Sequence, residues 1–413
     1  MQPIEQVTPQ QLAERAEASR EAIVGFAQAL VRTPSPCGQE GALAEILVAK
    51  LKELGYDEAY QDELGNVIGR IRGQGTGPSV LFTTHLDTLD PEAVGAWEVP
   101  PYEARVADGH LMGAGACDHK GAIAAMVYGG ALLKQLNAPL KGDYVFAGVV
   151  QANAKASVGT RFFMDKTMFD QKIHCDLVVV GAPTNLNVHL GHRGRLELDI
   201  MTIGRTSHGG APWLGLNAVY QMVPVLQEIQ ALSTSLPSHP FLEKSTLAVT
   251  RIESAPETTF TVPDRCVATL DRRFLPNESV DDAVWQVQSI VNRLTAQDPE
   301  FKAEVRVRQA AVTSYTGTSQ TAPRLMHPLT TDSAHHLVKE ASQALEGVGQ
   351  SPRFGKWAFT TDGGYASTIK NFTTIGYAPG DENFAQTPFE RVAIDALIQA
   401  TVGYAAISQR ISG

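Results

Sequence analysis

The sequence predicts an α/β protein, a mostly parallel sheet with helices on both faces, into which an α+β domain is inserted. Three observations predict it. Up to about residue 192, near-continuous apolar strands such as DYVFAGVVQ and DLVVVG alternate with helices, as expected of strands buried on both faces. From about Arg193 to Val312 the strands become long and alternating (RLELDIMTIG, TLAVTRIES, RCVATLDRRF, AEVRVRQ). Two amphipathic helices stand among them, the pattern of an antiparallel sheet with helices on one face. After about Tyr315 the helix–strand alternation resumes. One domain is therefore expected over residues 1–192 and 313–413, and the insert over 193–312.

The first element is announced by Thr8-Pro9-Gln10-Gln11, where Thr8 can cap, Pro9 suits the first helical position and Gln11 completes a capping box. That helix is expected to reach about Val31. A second, ALAEILVAKLKEL, stops at Gly55, a typical C-terminal glycine. Strands follow at NVIGRIRG and SVLFTTHLD, then a helix from Gly121 to about Leu136. Within the insert, NAVYQMVPVLQEIQAL and VDDAVWQVQSIVNRLTAQ read as helices. SYTGTSQTAPR has the composition of a mobile connection. The last helix is expected from Pro388 to about Ile411.

With 413 residues the chain is long enough for two or three domains and a large core, and its 43% hydrophobic content suits a globular protein. A net charge of -10 argues against sequence-independent nucleic-acid binding, which needs a basic footprint. No apolar stretch reaches the ~20 residues that cross a bilayer. The opening MQPIEQVTPQQLAERAEASREA is polar, without the apolar region of a signal peptide. Cys37, Cys117, Cys175 and Cys266 show neither zinc-knuckle nor disulfide-scaffold spacing, which points to a cytoplasmic protein with reduced thiols.

Several motifs carry chemistry. His85-Leu86-Asp87 ends the apolar run VLFTTHLD, and Asp118 lies in MGAGACDHKG. VVQANAKASVGT, GAPTNL, GRTSHGGAPWLGLNA, VPDRCVATLDRRF, TTDGGYAS and APGDENFAQTPFE follow in that order. Together these resemble the zinc-dependent family of acetylornithine deacetylase, succinyl-diaminopimelate desuccinylase, aminoacylase and carboxypeptidase G, nearly end to end. The resemblance implies a zinc-exopeptidase-like fold, an insert that serves as lid and dimerises the protein, and a lineage of amidases or deacylases acting on N-acyl amino acids.

It also implies roles for particular residues. His85 would bind one metal, Asp87 would orient it from behind, and Asp118 would bridge two metals. In the family a Glu-Glu pair after the VVQ strand supplies the general base and a ligand, and the glutamate of GEPT and a C-terminal histidine complete the sites. Here those positions are Ala152, Asn153, Ala182 and Gln386. Of the five ligands His85 and Asp118 remain, and alanine cannot move a proton. Ala114 and Gly364 stand where many relatives carry arginine. Zinc sites need three or four protein ligands, so zinc, or another divalent metal, is expected by resemblance only and no cofactor is expected to bind tightly. The missing base alone is worth ~10²–10⁴ in rate, so zinc-dependent hydrolysis is expected to be lost or severely impaired. Fewer carboxylates also suit a cavity that no longer binds cations.

Other residues allow more than one reading. Asp118 could pair with a cation, Lys120 and Lys155 being the nearest in sequence. Cys117 reads as a packing cysteine, and in an extended segment His119 would point opposite to Asp118. By resemblance His208 helps hold the tetrahedral intermediate from the insert, and Asn217, Arg273 and the turn Thr361-Asp362-Gly363 lie near the substrate carboxylate. Either Arg272 or Arg273 could be the anion anchor. The implied ligand is a small carboxylate or N-acyl amino-acid-like molecule, and the implied assembly is a homodimer. Three functions follow in order of expectation: a pseudoenzyme or small-carboxylate binder, an enzyme with metal-independent chemistry built on His85, Asp87 and Asp118, and a weak residual zinc amidohydrolase.

Overall fold

A computed structural model describes residues 7–154 and 156–413. Lys155 and the first six residues of the polar N-terminus lie outside the described residues. The chain divides into two compact units. One runs through His192 and includes Ala311–Thr321 and Leu329–Gly413; the other is Arg193–Ala310 with Ala322–Pro328.

The first unit opens with α1 (Pro9–Ala18) and α2 (Arg20–Arg32). Thr8 and Gln11 form the expected reciprocal capping box. The expected single helix is interrupted at Ser19, whose φ of -98° and ψ of 1° end α1. Next come α3 (Gly41–Glu53), β1 (Glu58–Gln61), β2 (Val67–Ile71), β3 (Val80–His85), α4 (Gly121–Gln135), β4 (Tyr144–Val149), β5 (Leu177–Val180) and β6 (Val188–His189).

The insert contributes β7 (Gly194–Ile203), α5 (Ala218–Ser235), β8 (Thr246–Ala255), β9 (Arg265–Phe274), α6 (Val280–Gln297) and β10 (Lys302–Val307). The first unit then closes with α7 (His336–Gly347), β11 (Phe354–Gly355), β12 (Thr373–Gly376) and α8 (Ile394–Ser412). The last helix starts at Ile394 rather than near Pro388, because Arg391–Ala393 pairs as a strand with His110–Met112.

The main sheet has the order β1-β2-β4-β3-β5-β12-β6-β11. Its centre, β4-β3-β5-β12, is parallel, and β1 and β2 flank it antiparallel. The expected mostly parallel sheet covered on both faces is present. On one face α4 is buried at every residue from Gly121 to Leu133, and α8 packs on it. A Cβ at Gly129 would lie 2.9 Å from Tyr404 Cβ, so glycine permits this close approach. Phe82 stacks on Tyr144 at 4.4 Å and meets Tyr404 edge-on at 5.4 Å. On the other face Leu81, Val145, Val178, Phe163, Met164 and Trp357 form a second core.

The insert sheet has the order β8-β9-β7-β10, antiparallel throughout. Its core joins Leu198 and Ile200 of β7 and Leu270 of β9 to Met222 and Val225 of α5 and Val287 and Ile290 of α6. Strand β8 is an edge, and Ile252 on it is exposed.

Composition had marked SYTGTSQTAPR as mobile; the structure shows its first part anchored. The Tyr315 hydroxyl donates to Gly65 O at 2.8 Å, Thr316 and Thr318 donate to Glu63 O at 2.9 and 3.0 Å, and Ser314 donates to Leu64 O. Among the described residues no helix is long and apolar enough to cross a membrane.

Candidate metal and active site

The C-terminal ends of parallel strands are where open α/β sheets place their sites. His85 is the last residue of β3, the turn Ala152–Ala154 follows β4, and Ala182 follows β5. The loop before α4 brings Asp118 and His119 to the same edge, since one ligand atom from each of His85, Asp118 and His119 lies within 4.8 Å of the others.

Asp87 is fully buried and organises this edge. Its carboxylate accepts the N–H groups of Ala152 and Asn153 at 3.0 and 2.7 Å, and lies 3.5 Å from His85 Nδ1. His85 Nδ1 also contacts Asp87 O at 2.7 Å. The aspartate thus holds both the histidine and the turn that carries the altered base position. Glu40 lies behind it: its Oε1 accepts the N–H groups of Gly38 and Gln151, while its Oε2 is buried without a hydrogen-bond partner among the described residues. Burial, followed by the Asp87 charge, pushes the Glu40 carboxyl up to about 7. Cys37, Glu40 and Asp87 form a second group of metal-capable side chains.

Asp118 is the centre of the first group. Its Oδ1 lies 2.5 Å from His119 Nε2, and its Oδ2 accepts from Gln386 Nε2 at 2.8 Å. The expectation that His119 points away is overturned. Asp118 (φ -97°, ψ 68°) and His119 (φ 143°) break the extended geometry on which it rested, and the two side chains converge. The His119 ring packs 3.6 Å from the His85 ring, centroid to centroid. Burial disfavours the charged Asp118, but the His119 imidazolium beside it prevails and holds the carboxyl well below its usual range. Burial likewise opposes a charged His119, and Asp118 prevails to raise it.

Glu390 supports the turn from beneath. Its Oε1 accepts the N–H groups of Cys117 and Asp118 at 3.1 and 2.6 Å. Burial, then the Asp118 charge, raises its carboxyl. Lys120 does not pair with Asp118. It is buried, donates to Thr33 O at 2.7 Å, and burial pushes its ammonium down to about 7. Cys117 is buried and donates to Asp381 O at 3.1 Å, and burial raises its thiol, so it packs rather than reacts. Lys155, the other cation considered, lies outside the described residues. Thr88, Trp97, Ala114, Asp118, Gln386 and Glu390 line a cavity of about 10 Å³, room for about one water.

The turn Thr361-Asp362-Gly363, expected near a substrate carboxylate, is built on His192, whose Nε2 lies 2.9 Å from Thr361 Oγ1. Thr361 Oγ1 in turn accepts the Gly363 N–H at 3.3 Å, and Asp362 Oδ1 is buried without a hydrogen-bond partner among the described residues. Gly364 precedes the helical turn Tyr365–Ile369.

In the insert, His208 is on the short strand Ser207–His208, and its Nδ1 accepts the Gly210 N–H at 3.0 Å. Asn217 caps α5 through Val219 N at 2.9 Å. Of the two arginines, Arg272 is fully buried and donates to Glu278 and to Arg273 O. Arg273 is partly exposed but shares its guanidinium with Asp271 at 2.6 and 3.2 Å. Of the two, only Arg273 reaches solvent.

Tested against a dinuclear zinc centre, these donors do not fit, and both Asp118 oxygens are engaged by His119 and Gln386. Ala152, Ala182 and Gln386 offer no carboxylate or imidazole, and Gln386 occupies the oxygen through which Asp118 would bridge. Sequence reasoning missed His119, although it stands next to a retained ligand and histidine is the commonest metal ligand.

Comparisons with known proteins agree with this architecture. Residues 81–410 match the profile of Peptidase family M20/M25/M40. The uncharacterized protein YgeY of Escherichia coli is 29% identical over 403 residues, 95% of each chain. A succinyl-diaminopimelate desuccinylase of Maricaulis maris is 30% identical over 289 residues, 68% of this chain and 73% of the relative. The crystal structure of aminopeptidase PepT from Bacillus cereus superposes with a TM-score of 0.72 at 19% identity, covering 95% of this chain and 99% of that one.

Proposed function

The chain belongs to Peptidase family M20/M25/M40, and from that premise we propose that it has given up two-metal amide hydrolysis and serves as a cytoplasmic, homodimeric binder of a small carboxylate or N-acyl amino-acid-like ligand. One observation carries this reading. The turn that Asp87 grips presents Ala152 and Asn153, and neither can accept a proton from water. The retained Thr361-Asp362-Gly363 turn and the partly exposed Arg273 support binding of an anion, and the desuccinylase relatives support its chemical class.

The test follows amine release from N-acetyl- and N-succinyl-amino acids and from dipeptides, with added Zn²⁺ and with chelator. The expected result is release no faster than buffer, together with calorimetric binding of at least one of these compounds. Release that depends on added metal overturns the reading. The combined variant Ala152→Glu, Asn153→Glu, Ala182→Glu, Gln386→His is expected to gain hydrolysis by at least ~10²-fold, the value of a positioned general base.

A further inference from the structure

A thiol and a second carboxylate converge on Asp87. One ligand atom from each of Cys37, Glu40 and Asp87 lies within 4.8 Å of the others. The backbone builds this group. Pro36 bridges Thr88, and the Thr88 N–H donates to Ser35 O at 2.8 Å, so the stretch before Cys37 runs beside the one that carries Asp87. The Gln39 N–H then donates to Pro36 O at 2.8 Å, closing a turn with Gly38 in third place at φ 85°. That turn brings Cys37 and Glu40, three residues apart, to the same carboxylate.

Glu40 and Asp87 are both fully buried. Two acids buried side by side repel unless a proton or a cation lies between them. Glu40 Oε1 is taken by the Gly38 and Gln151 N–H groups, whereas Oε2 is buried and has no hydrogen-bond partner among the described residues. A buried carboxylate oxygen left open in this way marks the place of a water or an ion. The Asp87 oxygens accept the Ala152 and Asn153 N–H groups, and each oxygen has a second lone pair to give. Cys37 favours the ion. It is the exposed member, which supplies a route from solvent, and its sulfur adds a soft donor that an ion uses and a bridging water does not need.

We propose that Cys37, Glu40 and Asp87 bind one thiolate-seeking divalent ion, Zn²⁺ or Cd²⁺, through the sulfur and one oxygen of each carboxylate, with water in fourth place. Binding releases the thiol proton, because the thiolate is the ligand. The site shares no donor with the His85–Asp118 pair. It goes beyond the ligand reading above, which stands whether or not this ion binds.

The experiment titrates the reduced, chelator-stripped full chain with Cd²⁺ and follows the ultraviolet thiolate-to-Cd²⁺ charge-transfer band. The expected result is a saturable band that Cys37→Ser abolishes and Asp118→Asn leaves in place. Glu40→Gln should weaken binding by about tenfold or more, since it removes a direct ligand and even an outer-shell partner is worth that much. Alkylation of Cys37 in the wild type guards against a misfolded variant: Cd²⁺ is expected to slow it by about tenfold or more. No band, a band that survives Cys37→Ser or is lost in Asp118→Asn, affinity indifferent to Glu40→Gln, or alkylation that Cd²⁺ does not slow overturns the proposal.

Discussion

At the scale of single residues, Glu40 gives the site a pH dependence. Its carboxyl titrates near 7 in the folded chain against an ordinary 4.5, because it is buried beside Asp87. Between those values the native state holds a proton that the unfolded chain has released, so this contribution is complete below about pH 4.5 and is lost as pH rises through about 7. It amounts to about 3 kcal/mol. Glu40→Gln keeps an oxygen for the Gly38 and Gln151 N–H groups and removes the charge. Urea unfolding across pH 5–8 is expected to show a flatter profile for the variant and greater stability than wild type at pH 8; parallel profiles would refute the assignment. The identity of such residues was legible where a motif names them, as with His85, Asp87 and Asp118. It was not legible at His119, because its position depends on a φ of 143° that residue type alone does not announce.

At the scale of elements, the segment after the insert is held by contacts that sequence composition concealed. Tyr315 lies against Gly65, which has a φ of 102°, and a Cβ there would come within 2.5 Å of the Tyr315 ring. Gly65→Ala is therefore expected to cost about 2 kcal/mol or more, from overpacking and from backbone strain. Adding Tyr315→Ala should recover the steric part, so a double-mutant cycle in urea that comes out additive would exclude the contact as the cause. The polar residues that suggested mobility are the ones that hydrogen-bond to Glu63 and Leu64 carbonyls. Elsewhere the elements were readable from periodicity, and the errors fell at boundaries. Ser19 breaks the first helix, Arg391–Ala393 is strand before the last, and the short polar strand EAYQ at Glu58–Gln61 gave no signal.

At the scale of the whole molecule, the alternation of apolar strands and helices was enough to predict the sheet and its covering layers, since burial on both faces leaves a continuous apolar signature. Assembly is a separate matter. Val249 and Ile252 on the edge strand β8, Tyr220 and Val223 on α5, and Trp213 are exposed on the insert. An unpaired edge flanked by apolar side chains is a surface that another copy can cover. Sedimentation equilibrium is expected to show a dimer, and Val249→Lys with Ile252→Lys a monomer with unchanged far-ultraviolet circular dichroism; a monomeric wild type would dismiss this arrangement. The packing of α4 against α8 has a consequence of another kind, in time. The whole stretch from Gly121 to Leu133 is apolar core, yet the helix that covers it begins only at Ile394. At ~5–20 residues per second, a ribosome needs roughly 10–50 s to make the intervening chain. Throughout that interval the nascent protein carries a greasy helix without its lid, so its safety during synthesis rests on whatever shelters it outside the exit tunnel rather than on its own fold.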